Sequence, residues 1–538
     1  MDVRRLGRLG LFLAGLLLAL TLFPHAAGAA IGEHEATRIA DRDANVVDTE
    51  RERGPLTTRT ESKPEQARWE VGYFDDDEQV MVVYVDSRTG EVTESWTGDQ
   101  VAWQMARGYE GSFGHKLNAP YVWLPLAAIF LCGLFDWRRP LRIVHLDLLV
   151  LLAFGVGQVF FNRGEIGVSV PLAYPVLVYL LARMLWLGLR GGGGGLRPSA
   201  PIAWLAIGAV FLCGFRVALN VADSGVIDVG YAGVVGADRI AAGEPLYGET
   251  AFPDEIRSGD TYGPANYYAY LPFELALPWS GEWDELPAGH AASIFFDLAT
   301  VAGLFLCGGA LRPAGRRGLW PNAEGRALGI VLAFAWLAYP YTAFALQSNS
   351  NDSLVAALLV WSLVLFASPW ARGVLLGLAA MTKFAPLALA PLFAAGGRGL
   401  AGRARQRIGL LGRAELAFGL ALVGALVLML AHPAIEPGLA TFWERTVSNQ
   451  LERSSPFSIW GQEEGLGWLQ TAISVGAIGF AIALAFLPRR RSLVQVAALG
   501  AAVLIAIQLA VDHWFYLYIP WFLPFLFAAL AGERRDGD

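Results

Sequence analysis

The sequence predicts a mainly α-helical, polytopic transmembrane bundle that carries a small exported α+β domain. The 538-residue chain is 55% hydrophobic and only 17% charged, whereas soluble domains average about 25% charged residues. Its apolar residues also fall in runs of the length that crosses a bilayer core, about 18 residues or more. Because lipid offers no partners to backbone polar groups and these runs do not alternate, they predict helices rather than the strands of a barrel.

The predicted membrane helices follow these apolar runs in order along the chain. Two runs, at 121–135 and 353–368, are shorter than the others. The full-length runs lie at 141–161, 169–189, 201–221, 288–311, 327–346, 415–431, 466–487, 494–511 and 514–531.

The N-terminus has the pattern of an export signal. Arg4, Arg5 and Arg8 precede an apolar run at 9–23, and small residues at 27–29 offer a cleavage site. Residues 1–30 are therefore predicted to be a signal peptide or a signal anchor. Either outcome places residues 31–119 outside the cytoplasm.

The exported segment 31–119 is acidic, with 19 Asp and Glu against 10 Lys and Arg. It contains none of the three cysteines, so no disulfide stabilises it. Residues 31–66 are polar and predict a flexible linker, whereas 68–74, 79–85 and 91–96 have the composition of strands. The turn 86–90 (DSRTG) joins the last two strands. This hairpin resembles the PepSY module, which implies a small binding or regulatory domain; a spacer hairpin without a ligand is the alternative.

Loop charges predict the topology, since cytoplasmic loops carry excess Lys and Arg. Outer positions are predicted for loops 222–287, 347–352 and 432–465. For all basic loops to lie inside, the stretch 371–395 must enter the membrane and return without crossing. Lys383 and two prolines in that stretch favour such a break. The basic segments assigned to the inside are 136–142, 312–326, 398–413, 489–491 and 533–535.

A run of glycines, Gly191–Gly195, predicts a hinge within the membrane region. It separates additional helices at 120–199 from a membrane module at 200–538.

Several short motifs occur in order in that module. Asp228 precedes Tyr231, and Tyr262-Gly-Pro264 follows; Gln347-Ser-Asn349 then precedes Asn351-Asp352, and Gly373…Gly377 leads to Lys383 and Pro386. Over roughly residues 200–530 this order resembles the GT-C type of polyprenyl-phosphate-dependent glycosyltransferases, and glycosyltransferase family 87 in particular. The resemblance implies a GT-C-like helical bundle whose catalytic site lies at the outer face.

The resemblance implies transfer of a sugar, with inversion, from a polyprenyl-phosphate sugar to a glycan or lipid acceptor of the envelope. Asp228 is the candidate general base and Asp223 the reserve. Cations stabilise the departing phosphate. Candidate substrate-binding residues are Tyr231, Tyr262, Asn349, Asp352, Lys383, Arg445, Arg453 and His513, with the two arginines and the lysine assigned to phosphate and His513 to proton transfer or acceptor binding.

No Cys/His cluster suggests a dedicated metal site, although a divalent ion would fit if Asp223, Asp228 and Asp352 converged. The predicted partners are the lipid-linked donor, the acceptor and membrane lipids, and no nucleic acid. A secondary transporter or flippase is the alternative function, because its core also contains a broken helix and buried charges. A sensor built on the exported domain is the third possibility.

Overall fold

The computed structural model of the protein describes residues 31–76, 78–103, 107, 117, 119–312, 320–397, 412–452 and 455–532. The predicted signal segment 1–30 lies outside these residues. The chain divides after Arg107 into two compact units.

The first unit contains a four-stranded antiparallel sheet in the order β1-β2-β3-β4. The three strands predicted from composition are confirmed as β2, β3 and β4, and the turn before β4 is closed by Asp86, whose carboxylate accepts the backbone N–H groups of Arg88 and Thr89. Gly90 takes φ +72° at the end of this turn. The strands are β1 (Thr57–Lys63), β2 (Arg68–Asp75), β3 (Glu78–Asp86) and β4 (Val92–Thr97).

The prediction of a flexible linker at 31–66 is wrong. This segment forms α1 (Glu33–Ala40), α2 (Ala44–Arg53) and strand β1. The helices pack on one face of the sheet through small side chains, Ala36, Ala40 and Val46, which lie in one core with residues of β2 and β3. Composition did not reveal this core because alanine is only weakly apolar, yet its small side chain lets a helix approach a sheet closely. A further short helix, α3 (Asp99–Ala102), follows β4.

The second unit is helical and contains six helices in its described part that are long and apolar enough to cross a membrane. The segment 143–161 counts as one of them although it is divided at Ala153. These spans confirm a mainly α polytopic fold. They are α5–α6 (Ile143–Leu152 and Phe154–Phe161), α7 (Ile166–Arg190), α8 (Ile202–Ala222), α11 (Pro287–Leu311), α17 (Arg413–Ile435) and α22 (Leu493–Ala510).

A bent pair of helices adds a seventh span if it is counted as one. The pair bends by 61° at Tyr339-Pro340, where proline interrupts the helix ladder. Arg216 of α8 replaces the backbone hydrogen bonds lost at this bend, since its guanidinium donates to the carbonyls of Trp336 and Leu337. The same guanidinium pairs with the buried Asp297 at 2.7 Å. The two helices are α12 (Ala323–Ala338) and α13 (Pro340–Gln347).

Shorter helices complete the unit. Those before the bent pair are α4 (Pro120–Leu134), α9 (Asp228–Ala242) and α10 (Pro264–Glu274). Those after it are α14 (Asp352–Val364), α15 (Pro369–Ala380), α16 (Ala390–Ala395), α18 (Leu439–Trp443), α19 (Asn449–Glu452), α20 (Ile459–Gln462), α21 (Gly467–Ala483) and α23 (Ile519–Ala531).

The stretch 369–395 folds back on itself, as the charge pattern predicts. Helix α15 ends at Ala380, and the chain returns through a 3₁₀ turn (Ala385–Leu389) and α16. A Cβ on Gly396, just beyond α16, would lie 3.4 Å from the guanidinium of Arg372 in the first turn of α15. The two ends of this hairpin therefore lie together, and Lys383 lies at its tip.

Contacts between segments predicted to be cytoplasmic gather them at one end of the bundle. Arg491 N–H donates to the carbonyl of Gly397, and Arg142 donates to the carbonyl of Gly195. Gly194 N–H bonds to Ala529, near the end of α23. The glycine run therefore packs against the end of α23 and does not have the open surroundings expected of the predicted hinge. A Cβ on Gly194 would lie 2.8 Å from the backbone of Leu530. Residues 398–411 lie outside the described part.

Candidate active site

The central feature of the candidate site is an ion pair between the tip of the hairpin and the start of α14. Lys383 Nζ lies 2.6 Å from Asp352 Oδ1. The carboxylate is completely buried, and the lysine side chain is 10% exposed. Trp521 of α23 donates its indole N–H to the same oxygen at 2.7 Å. A buried charge is stable only when it is paired and hydrogen-bonded, and these contacts supply both conditions.

Three aromatic rings surround the ammonium group. Its nitrogen lies 5.0 Å from the ring centre of Trp521, 5.1 Å from that of Tyr518 and 5.9 Å from that of Tyr262. Tyr518 and Trp521 stack on each other at 4.3 Å. These three rings form an aromatic cage, and a desolvated cation in such surroundings is attracted by the ring faces.

The ammonium group has N–H donors beyond the one that Asp352 accepts. Among the described residues, Asp352 is its hydrogen-bond partner, and an ammonium has three N–H donors. Asp352 Oδ2, in turn, is buried and has no hydrogen-bond partner among these residues. The site therefore holds a cation that is fixed in place and whose N–H donors are not all used by the described residues.

Close backbone packing places Tyr262 in the cage. Ala265 N–H, in the first turn of α10, donates to the carbonyl of Met381 next to the hairpin tip. Gly263 permits this approach, since a Cβ there would lie 2.1 Å from the Met381 oxygen. Pro264 begins α10 at a position where a missing N–H costs nothing. The Tyr-Gly-Pro motif is therefore the joint between α10 and the tip of the hairpin.

His513 lies on the other side of the cage. Its ring is 6.0 Å from that of Tyr518, in an edge-on arrangement. Ser455 Oγ lies 2.8 Å from its Nδ1, and Phe457 packs edge-on against it at 5.9 Å. Four of the predicted site residues thus meet through the cage: Tyr262, Asp352, Lys383 and His513.

Asn349 shapes the segment that precedes Asp352. It is fully buried with φ +49°, a conformation that asparagine tolerates better than most residues. Its side chain accepts from Asn220 at 2.8 Å and donates to Ser224 and to the carbonyl of Gly225. The loop 347–351 is buried within the protein, where it joins α8 to the start of α14; its position on the outer side of the membrane stays a prediction.

The two candidate bases lie at the opposite edge of this buried loop. Asp228 is exposed at the first position of α9 and accepts the N–H of Val229. Ile227 N–H bonds to the carbonyl of Ser348, and Gly230 packs on Asn349. Asp223 follows α8 directly and is partly exposed. A carboxylate at a helix N-terminus is stabilised in its charged form, the form that a general base requires.

Tyr231 does not join the cage. It is buried and stacks on Trp283 at 4.7 Å, and burial raises the pKa of its phenol to about 12. It therefore stays neutral and anchors α9.

Arg445 is also engaged away from Lys383. Its guanidinium makes a two-pronged pair with the buried Asp260, at 2.6 and 3.0 Å. The hydrogen bond to Asp260 raises the pKa of Arg445. This pair ties a π-helical turn (Glu444–Ser448) to the segment that leads to Tyr262. Arg453 lies outside the described residues.

The carboxylates proposed to share a metal do not converge. In the part of the chain that the structure describes, no group of three or more His, Cys, Asp or Glu side chains could hold a metal ion. Asp352 is occupied by Lys383 and Trp521, whereas Asp228 is exposed beyond the buried loop.

The sequence pattern did not predict Tyr518, Trp521 or Asp260 as site residues. The two aromatic residues follow His513 in an apolar run that is rich in aromatic residues (WFYLYIPWF), where nothing in the pattern marks individual rings. Asp260 is one acid among many in the loop 222–287. Only Tyr518 and Trp521 could have been predicted as site residues, because they follow His513 closely at the start of a helix and so lie at the same end of the bundle as that histidine.

The apolar spans and the buried cation beside them define the class: a polytopic membrane protein with a polar site built between short and broken helices. The comparison with known families is more specific, since residues 261–512 match the model of Glycosyltransferase family 87. The match supports a membrane glycosyltransferase and confirms the resemblance to that family over these residues. It includes Tyr262, Asp352 and Lys383, but not Asp228 or His513. No curated protein matches the chain.

Proposed function

We propose that the chain is an inverting glycosyltransferase that moves a sugar from a polyprenyl-phosphate sugar to a glycan or lipid acceptor of the envelope, at the outer face of the membrane. The observation that carries this proposal is the environment of Lys383. An unsaturated ammonium at the tip of a hairpin inside a membrane bundle suits the anionic headgroup of a lipid. A compact lysine charge suits a single phosphate group.

The reaction is a single displacement. An acceptor hydroxyl attacks the anomeric carbon, and the bond between that carbon and the phosphate oxygen breaks. The hydroxyl proton passes to Asp228, with Asp223 as the alternative base. The lipid phosphate leaves with the bonding electron pair, and Lys383 stabilises the charge that develops on it.

The other residues of the site have supporting roles in this proposal. Asp352 and Trp521 hold the ammonium in place, while Tyr262 and Tyr518 flank the space where donor and acceptor meet. His513 contacts the acceptor or carries a proton. Asn349 maintains the loop between the base and Asp352. Tyr231 and Arg445 maintain the segments that surround the site.

The test uses the full-length protein in lipid nanodiscs. Short-chain polyprenyl-phosphate hexoses and pentoses with labelled sugars are offered as donors, together with an envelope lipid extract as acceptor. Transfer of label to the extract by the wild type, and its loss in Asp228→Asn, is the expected result. In liposomes, a transporter or flippase would instead move the labelled lipid across the bilayer without transferring its sugar, and that outcome would replace the proposal.

A further inference from the structure

The first turns of α7 bind a segment from the far end of the chain. Ile459 N–H, in the loop 455–462, donates to Tyr174 Oη at 3.1 Å. Gln462 Nε2 donates to the carbonyl of Ile166 at 3.1 Å. The Tyr174 ring also meets Trp460 edge-on at 6.3 Å. Because residues 166 and 174 are two turns apart, these contacts come from one face of the helix.

A different side of α7 binds the segment that follows His513, since Ser169 lies five residues before Tyr174 in the helix. Ser169 Oγ lies 2.9 Å from Tyr516 Oη. Tyr516 begins the 3₁₀ turn that ends at Tyr518, a member of the aromatic cage. Gly157 of α6 allows the close approach, since a Cβ there would lie 2.6 Å from Tyr516 Oη.

His513 lies between these two anchored segments. From one side Ser455 holds its Nδ1, and Ser455 Oγ also accepts the N–H of Phe457 at 3.3 Å. From the other side its ring meets Tyr518, whose ring centre is 5.1 Å from Lys383 Nζ. A continuous set of contacts therefore connects α7 to the ammonium group.

We propose that α7 positions His513 against the aromatic cage, and that Tyr174 and Ser169 are positioning residues for sugar transfer. This inference rests on the proposed function. Helix α7 precedes the segment that matches the family model, which begins at residue 261, so the additional helices contribute to the site rather than forming a separate module. A displacement of about 1 Å at a catalytic site can reduce turnover by about 100-fold, so anchoring this histidine has consequences for the rate.

The test begins with Tyr174→Phe, which keeps the ring against Trp460 and removes the acceptor for Ile459 N–H. Loss of one hydrogen bond should accelerate amide hydrogen exchange in the loop 455–462 by roughly 3- to 10-fold. Turnover should fall by a similar factor or more, while binding of a polyprenyl monophosphate is unchanged. Val178→Ala, one turn further along α7 at an exposed apolar position, is the matched control and should change neither quantity.

A second variant tests whether the effect passes through His513. In a His513→Gln background, Tyr174→Phe should cause no additional loss of turnover, and Ser455→Ala alone should reproduce the Tyr174→Phe defect. Unchanged exchange in the loop 455–462, or an undiminished effect of Tyr174→Phe in the His513→Gln background, overturns the inference. If the wild type transfers no sugar, the proposed function fails, whereas the exchange measurement still decides whether α7 anchors the loop.

Discussion

Lys383 Nζ lies 2.6 Å from Asp352 Oδ1, and the carboxylate of this pair has no exposed surface. The sequence contains only three lysines against 38 arginines, and Lys383 is the only lysine after Lys116. A compact charge at the tip of a hairpin is thus retained in a chain that otherwise uses arginine. The ammonium lies between the Asp352 carboxylate and the rings of Tyr262, Tyr518 and Trp521.

The first prediction concerns the charge of Lys383. Lys383→Met keeps the length of the side chain and removes the ammonium, so binding of a polyprenyl monophosphate should weaken by about 10- to 100-fold, as expected for a hydrogen bond to a charged group. Lys383→Arg should restore part of this affinity. Binding is measured with purified protein in nanodiscs.

The paired carboxylate provides the control. Lys383→Met alone leaves Asp352 buried without its counter-charge and should cost about 3–5 kcal/mol of stability. The double variant Lys383→Met/Asp352→Asn removes both charges and should recover thermal stability without recovering phosphate binding. Full phosphate affinity in either variant would assign this lysine a purely structural role.

The second prediction concerns the joint between α10 and the hairpin. A Cβ at Gly263 would lie 2.1 Å from the Met381 carbonyl oxygen, and neither backbone can yield easily. Gly263→Ala should therefore displace Tyr262 from the cage, lower stability by about 1–3 kcal/mol and reduce donor binding. Gly476→Ala, where no atom lies within 4 Å, is the matched control. Equal donor affinity in the two variants would show that the joint does not shape the site.

The hairpin tip could be predicted from the sequence because a charge inside an apolar stretch is costly, and Lys383 and Pro386 occur where the loop charges require a return. The helical bundle followed from the apolar runs for the same reason. Contacts between helices that are distant in the sequence could not be predicted in this way. Trp521 reaches Asp352 only because α23 packs beside α14, and no local pattern encodes that contact.

The N-terminal unit shows the opposite limitation. Strands β2 to β4 were predictable because large β-branched and aromatic residues mark them, whereas α1 and α2 bury mainly alanines and a valine, which composition does not distinguish from a polar linker. The glycine run misled for a related reason. A glycine run predicts a flexible backbone when nothing packs against it. The backbone of Leu530, however, packs against Gly194 and leaves no space for a side chain there.

The third prediction concerns the general base. Asp228→Asn is nearly isosteric but cannot accept a proton at neutral pH, so transfer should fall by ~10²–10⁴-fold. Binding of a polyprenyl monophosphate should survive, because in the proposed reaction Asp228 contacts the acceptor hydroxyl and Lys383 contacts the phosphate. Asp223→Asn is assayed in parallel with the same labelled donors. Normal turnover in Asp228→Asn together with an inactive Asp223→Asn would transfer the role of base to Asp223.

The fourth prediction separates the N-terminal unit from catalysis. Asp86 accepts two backbone N–H groups, which lower the pKa of its carboxyl. Because the folded pKa is the lower one, this stabilisation is present above the unfolded value of about 3.9 and is lost as the pH falls through the folded value. Asp86→Ala should therefore abolish that acid dependence in amide exchange at the turn 86–90. Sugar transfer at neutral pH should not change; reduced turnover in this variant, with the sheet intact, would give the unit a catalytic role.

The final prediction concerns the sides of the membrane. Because the segments around Gly397 and Arg491 lie at one end of the bundle and basic loops favour the cytoplasm, cysteines introduced by Arg405→Cys and Arg490→Cys should be protected from an impermeant thiol reagent in whole cells. Gln450→Cys, in α19, should react. The native Cys132, Cys213 and Cys307 are first replaced by serine or alanine, and permeabilised cells show that each introduced thiol is reactive. Labelling of both the Arg405→Cys and the Arg490→Cys variants from outside, with Gln450→Cys protected, would contradict the hairpin, because a full crossing of the stretch 371–395 reverses the side of every later loop.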